Sequence, residues 1–153
     1  QNGKSFVRSE SHGIVTKELG ATGMGADTFD YDKDGDLDIV YANERGRWHL
    51  FTNNSSTNAN NFVEINVGYS PSGKATAMGA ILTVNACGNT YKRIVGQTSS
   101  SYSHCLNTYL HIGLGQCETI EKAKITWSNG ETVELTINDL NQIYSAGKVE
   151  LKN

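Results

Sequence analysis

Five aspartates at alternate positions, Asp30, Asp32, Asp34, Asp36 and Asp38, fall within one nine-residue stretch of a chain that holds only seven aspartates. Carboxylates spaced in this way place hard oxygen donors on a tight loop. Calcium is the hard cation that takes six to eight such oxygens, at about 2.3–2.6 Å. In loop numbering, Asp30, Asp32 and Asp34 stand at positions 1, 3 and 5, and Gly35 at position 6 permits the sharp turn that aims the next carbonyl inward. Asp36 at position 7 would offer its backbone carbonyl, and Asp38 at position 9 closes the donor set. The plain alternative is a solvated acidic turn. Five like charges this close repel one another strongly, however, so folding the loop without a cation is costly. The all-protein, flexible donor set favours Ca2+ over Mg2+.

The spacing is not that of an EF-hand, because the twelfth position counted from Asp30 is Tyr41, where that motif needs a bidentate Glu. Asp38 instead runs straight into Ile39-Val40-Tyr41, which reads as a strand, so the loop joins two strands. No His or Glu stands beside it to act as a general base, and the loop donors fill the coordination sphere. The metal is therefore expected to be structural and not hydrolytic.

Other reactive side chains are sparse. The cysteines Cys87, Cys105 and Cys117 match no zinc spacing and contain no Cys-x-x-Cys pair. In a secreted chain they imply one internal disulfide, with its pairing open, and one cysteine either free or joined to a second chain. The alternative is three reduced thiols in a cytosolic protein. His104 and Cys105 are neighbours on a strand and so point to opposite faces, which keeps the imidazole from activating the thiol. Neither a nucleophile elbow nor a zincin motif is present, and Gly113-Leu114-Gly115 is followed by no helix that would make it a phosphate cradle. His111, inside a strand, is expected to be packed or surface-lying. No catalytic residue is assigned, and a hydrolase remains the remote alternative.

A binding function suits the residues better. Trp48 and His49 lie close to the aspartate loop in sequence, and Gln97, Ser99 and Tyr102 fall in a polar loop that ends in an aromatic ring. Hydroxyls and amides beside an aromatic face match a sugar ring, which has polar edges and an apolar C–H face. The expected function is thus a non-enzymatic, lectin-like protein whose partner is a glycan or an extracellular protein. The competing reading is a structural or adhesive matrix subunit, disulfide-linked through the odd cysteine, and an oligomer is expected. Asn53 and Asn54 begin two overlapping glycosylation sequons.

Composition narrows the classes further. The 153 residues are 37% hydrophobic with only 19% charged, so polarity comes from Asn, Ser and Thr. The net charge is −3; without the five clustered aspartates the remaining 13 basic and 11 acidic residues give +2, so the acidity is local. An acidic chain is a poor partner for nucleic acid. No run approaches the roughly 18–20 apolar residues of a membrane span. No signal-peptide pattern precedes Gln1, which fits a processed, secreted, extracellular chain.

The elements that must position these residues are strands. Ile14-Val15, Thr28-Phe29, Ile39-Val40-Tyr41 and Trp48–Thr52 come first, and the polar stretch from Asn53 to Asn61 reads as a linker. Beyond it, Val63, Ile65 and Val67 share one face. Ala80–Ala86 is a mostly buried strand, and Cys87-Gly88-Asn89 turns the chain into Tyr91–Val95. Tyr109–Leu114 follows. Ala123, Ile125 and Trp127, then Val133, Leu135 and Ile137, alternate around Asn129-Gly130, the favoured centre of a type I′ hairpin turn. A single helical turn is expected at Asn138–Gln142, and Val149-Glu150-Leu151 closes the sheet. The fold class is all-β: an antiparallel β-sandwich over residues 56–153, with an N-terminal calcium-loop β-hairpin over residues 1–55.

Two families share these patterns. Gly23-Met24-Gly25-Ala26-Asp27, followed by Phe29 through Ile39, resembles a single FG-GAP repeat of the integrin-like propellers, a resemblance that implies calcium at the matching aspartates. Asn61-Phe62-Val63-Glu64-Ile65, Gly79 to Val84, Tyr102-Ser103, Leu110 to Gly115 and Ile125 to Gly130 resemble the ASPIC/UnbV domain, which follows such repeats in relatives of cartilage acidic protein. The family commonly has Pro where Ser128 stands, a harmless exchange in a turn. The resemblance implies extracellular matrix or adhesion roles. A propeller needs about four blades to close, and a single repeat must instead pack on the sandwich, pack on another chain, or be the remnant of a longer parent.

Overall fold

The computed structural model describes residue 14 and residues 22–54, 60–96 and 107–148. These form strands and no helix: β1 (Thr22–Phe29), β2 (Asp38–Glu44), β3 (Trp48–Phe51), β4 (Asn61–Val67), β5 (Ile81–Ala86), β6 (Asn89–Ile94), β7 (Tyr109–Gly115), β8 (Ile120–Thr126), β9 (Thr132–Leu135) and β10 (Gln142–Ala146). They assemble into three sheets, ordered β1-β2-β3, β10-β4-β7 and β6-β5-β8-β9.

The second and third sheets make the sandwich, and strand alternation builds its core. Val63, Ile65 and Val67 of β4 and Leu110, Ile112 and Leu114 of β7 point inward from one sheet. Leu82 and Val84 of β5 and Ala123 and Ile125 of β8 answer from the other. Burying each large aliphatic side chain stabilises the fold by about 1.5–3 kcal/mol. Trp127 closes one end of the core, 2% exposed, and its indole Nε1 donates to the Gly68 carbonyl at 3.0 Å. The strand expected to be mostly buried at Ala80–Ala86 is so: Ala80, Leu82, Val84 and Ala86 are fully buried, Thr83 and Asn85 are half-buried, and Ile81 alone is exposed.

Two local expectations change. The helical turn expected at Asn138–Gln142 is a bend, and the chain then enters β10, which pairs parallel to β4 with Tyr144 opposite Ile65. The otherwise antiparallel sandwich thus carries one parallel edge. Asn141, at φ 58°, binds the start of β4 as a strand would: its N–H donates to the Phe62 carbonyl at 2.8 Å and its side-chain oxygen accepts from the Phe62 N–H at 2.9 Å. These two bonds offer the backbone a better partner than a lone helical turn. Val15 and the strand expected at Val149–Leu151 lie outside the described residues.

The turns also exchange roles. Cys87 and Gly88 both have positive φ (46° and 75°) between the paired Ala86 and Asn89, so the two-residue type I′ turn sits there. At the second hairpin only Gly130 is left-handed (φ 85°); its N–H donates to the Trp127 carbonyl at 2.9 Å, and Trp127 N–H donates to the Glu131 carbonyl at 2.9 Å. This is a three-residue loop in place of the type I′ turn expected at Asn129-Gly130. The cause is Asn129 itself, whose amide oxygen accepts from Glu131 N–H at 3.1 Å and whose NH2 donates to Ser70 Oγ at 3.2 Å.

Those bonds belong to a clasp between the β8–β9 loop and the turn Ser70-Pro71-Ser72-Gly73, which Gly73 N–H closes onto the Ser70 carbonyl at 2.7 Å. The Glu131 carboxylate accepts from Ser72 Oγ at 2.7 Å, from Ser72 N–H at 3.1 Å and from Asn129 Nδ2 at 2.6 Å. Hydrogen bonds from Ser70, Ser72 and Asn129 hold its pKa down to about 2.

A carboxyl depressed in the fold contributes stability that is fully present above its unfolded value and is lost as pH falls toward the folded one. Glu131→Gln is therefore expected to lower the melting temperature by a few degrees at pH 7. The gap to the unaltered protein should close between about pH 4.5 and pH 2, as followed by circular dichroism melts across that range. Gly147, at φ 80°, lies where a Cβ would collide with the Tyr69 carbonyl oxygen and stand 2.8 Å from the Trp127 ring. Gly147→Ala should cost about 3 kcal/mol or more in urea unfolding, combining left-handed strain with overpacking.

Candidate metal centre

The aspartate loop is the connection between β1 and β2, and their register sets its geometry. Phe29 pairs with Asp38, so Asp30 and Asp38 leave the last rung of the ladder side by side. Within the loop, Lys33 (φ 63°) and Gly35 (φ 96°) are left-handed, and the backbone winds around the first carboxylate. Asp30 accepts from Asp34 N–H at 3.1 Å and from Gly35 N–H at 3.0 Å. Asp38, 1% exposed, accepts from Tyr31 N–H at 3.1 Å and from Asn53 N–H at 2.8 Å, which ties the loop to the chain leaving β3.

Of the five aspartates, the structure brings three together. Carboxylate oxygens of Asp30, Asp32 and Asp38 lie within 4.8 Å of one another. Asp34 is turned aside to accept from Asp36 N–H at 2.9 Å, and neither Asp34 nor Asp36 is part of that group. Burial, and then the negative charges of Asp34, Asp38 and Asp30, raise the Asp32 carboxyl above its ordinary pKa. The donors are hard anionic oxygens, the class that suits calcium or magnesium and not a thiol- or imidazole-seeking metal. Each hydrogen-bonded oxygen of Asp30 and Asp38 keeps a second lone pair for a cation.

The loop rests on the outer face of sheet β10-β4-β7. A Cβ at Gly35 would stand 2.5 Å from Cε1 of Phe62, so the glycine lets the loop backbone lie directly on that ring. Phe62 in turn stacks on His111 (centroids 5.2 Å apart, planes 14° apart). Glu64 pairs with His111 across β4 and β7, and burial, reinforced by Asp30 and opposed by Lys33, raises its carboxyl. Burial also pushes the His111 imidazole down, helped by Arg93, while Asp30 and Asp36 pull the other way. The Nδ1 of His111 is buried with no hydrogen-bond partner among the described residues. A shallow groove of about 240 Å3, lined by Asp30, Lys33, Phe62, Asn141, Gln142 and Ile143, runs along this seam. Residues Phe62 and Glu64 were invisible as site residues in sequence. They read simply as strand, and their only signal is that their alternation places them on the face opposite Val63 and Ile65.

The sugar-site residues are dispersed. Trp48 pairs with Ala42 and His49 with Tyr41, so the two side chains leave opposite faces of β3. Trp48 is 76% exposed, whereas His49 is packed against Phe51 and Tyr41, with centroids at 5.9 and 6.4 Å. Gln97, Ser99 and Tyr102 lie outside the described residues. Asn53 is half-buried, its Nδ2 3.4 Å from the Leu37 carbonyl, and Asn54 is exposed. Among the cysteines, Cys87 and Cys117 form a disulfide that joins the β5–β6 turn to the β7–β8 connection. Cys105 lies outside the described residues.

No curated protein matches the chain. The family model described as "ASPIC and UnbV" matches residues 70–151, more than half of the 153 residues and most of the sandwich. The matched segment begins after the aspartate loop and takes in the β5–β6 and β8–β9 hairpins, the Cys87–Cys117 disulfide and the Glu131 clasp. The chain belongs to the ASPIC and UnbV family.

Proposed function

We propose that this chain is a non-catalytic, extracellular recognition module whose aspartate loop is a structural calcium site, resembling a single FG-GAP blade seated on an ASPIC/UnbV sandwich, and whose ligand is a carbohydrate. The observation that carries the metal reading is the convergence of Asp30, Asp32 and Asp38 at the end of the β1–β2 ladder. Bringing these charges together is unfavourable by itself, and a divalent cation would offset it. Calcium would be held by the three carboxylates together with loop carbonyls and water. Its contribution is stiffness: the same loop covers Phe62 and receives the chain leaving β3 through Asp38. The carbohydrate reading draws on the exposed Trp48 ring and on a surface rich in Asn, Ser and Thr.

Calcium titration by calorimetry should give one saturable site, and EDTA should lower the melting temperature. With calcium at about a hundred times its dissociation constant the linkage is worth roughly 2.7 kcal/mol, or about 5–10 °C for a domain of this size. Asp32→Asn removes an exposed charge and should abolish the calcium response while leaving the calcium-free melt unchanged or slightly higher. Identical melts with and without EDTA would exclude the site.

A second reading is favoured by the disulfide. With Cys87 and Cys117 paired, Cys105 is the odd cysteine of the three and the one through which an adhesive subunit would be linked to another chain. Electrophoresis of the natively secreted protein should then show a larger covalent species that collapses on reduction and is absent in Cys105→Ser. A single monomer band under both conditions excludes that linkage.

A further inference from the structure

The outer face of sheet β6-β5-β8-β9 gathers lysines from two strands. Thr83 on β5 pairs with Lys92 on β6 and with Lys124 on β8, so the two lysines flank it in a single cross-strand row. In the next row, Asn85 pairs with Lys122. Inward-facing Leu82 and Val84 are fully buried, and alternation therefore sends Thr83, Asn85 and the three lysines outward. Lys122 forms an ion pair with Glu134. Neither Lys92 nor Lys124 has a carboxylate within ion-pair distance among the described residues. Glu134 also stands opposite Lys124 in the β8–β9 register, so a chain of net charge −3 turns a face of three lysines against one carboxylate to solvent, on the side of the sandwich away from the aspartate loop.

We infer that this lysine and threonine face binds an anionic polysaccharide bearing sulfate or carboxylate groups, a proposal that rests on the carbohydrate reading above and names the class of glycan. Neighbouring strands are about 4.8 Å apart, so the Cα atoms of Lys92 and Lys124 stand about 10 Å apart; those of Lys122 and Lys124 are about 7 Å apart along the strand. Ammonium groups spread in this way do not converge on one small anion. They match charges repeated along an extended polymer. Between them, Thr83, Asn85 and Thr90 supply hydroxyl and amide groups for sugar hydroxyls, and Thr90 Oγ1 already donates to Asn85 Oδ1 at 3.0 Å. Nucleic acid fits the face poorly. It is flat, so nothing projects into a groove, and it offers no aromatic platform for unstacked bases.

The test measures binding of the whole chain to immobilised heparin and to polygalacturonate at low salt, with neutral dextran, poly-L-glutamate and duplex DNA as comparisons. Both anionic glycans should bind and the comparison polymers should not. The triple variant Lys92→Gln, Lys122→Gln, Lys124→Gln should lose at least about tenfold in affinity, with the slope of log affinity against log salt reduced by roughly two to three. Lys74→Gln with Lys148→Gln should leave both unchanged, and circular dichroism should show that each variant keeps the fold. Glycan binding that survives the triple substitution overturns the face while sparing the carbohydrate reading. Equal binding of poly-L-glutamate or DNA overturns the glycan assignment. Failure of every glycan, charged or neutral, removes both, and leaves the calcium titration to stand or fall on its own.

Discussion

The two-residue period of strands, locked by burial of one face, is the constraint on which the rest of this structure depends. Val63, Ile65 and Val67 can enter the core only if Phe62 and Glu64 leave it. A one-residue slip of β4 would bury the carboxylate of Glu64 in hydrocarbon and expel three aliphatic side chains, so the register is held by several kcal/mol. The same rule on β5 and β8 buries Leu82, Val84, Ala123 and Ile125 and sends Thr83, Lys122 and Lys124 to the opposite surface. Both outer faces of the sandwich are therefore by-products of its core: one becomes the seat of an acidic loop, the other a basic plane.

Polar clasps then fix the ends that alternation leaves loose. Glu131 joins two loops that no strand pairing connects, its carboxylate accepting from Ser72 N–H, Ser72 Oγ and Asn129 Nδ2. Asn141 substitutes for a strand residue at the head of β4 and so delivers β10 to its parallel partner. The Cys87–Cys117 disulfide holds a left-handed cysteine at a turn position that usually selects Asn, Asp or Gly. In each case a side chain replaces what a backbone ladder would otherwise have supplied.

The acidic loop couples the N-terminal sheet to the sandwich through a short chain of contacts. Its carboxylates gather backbone N–H groups from the loop and from Asn53, and Gly35 brings the backbone onto Phe62, which leans on His111. Anything that changes the loop, above all the charge it carries, acts on a seam where Glu64 and His111 are already desolvated. This explains why the aspartates belong to the architecture of the whole chain and not to an isolated hairpin.

The all-β class, the runs that became β4, β7 and β8, and the aspartate loop itself were legible in the residues, because alternation and clustered carboxylates are local signals. The family resemblance to ASPIC/UnbV was legible in short pieces such as Leu110 to Gly115 for the same reason. What sequence left open depends on partners distant along the chain. The Cys87–Cys117 pairing, the parallel docking of β10 and the exchange of turn types at Cys87-Gly88 and Asn129-Gly130 were each decided by contacts dozens of residues away. So was the grouping of Asp30, Asp32 and Asp38 out of the five aspartates, since the β1–β2 register sets Asp30 beside Asp38, the N–H groups of Tyr31 and Asn53 orient Asp38, and those of Asp34 and Gly35 orient Asp30. Local spacing determines which residues can share a face; only the packed fold determines what that face meets.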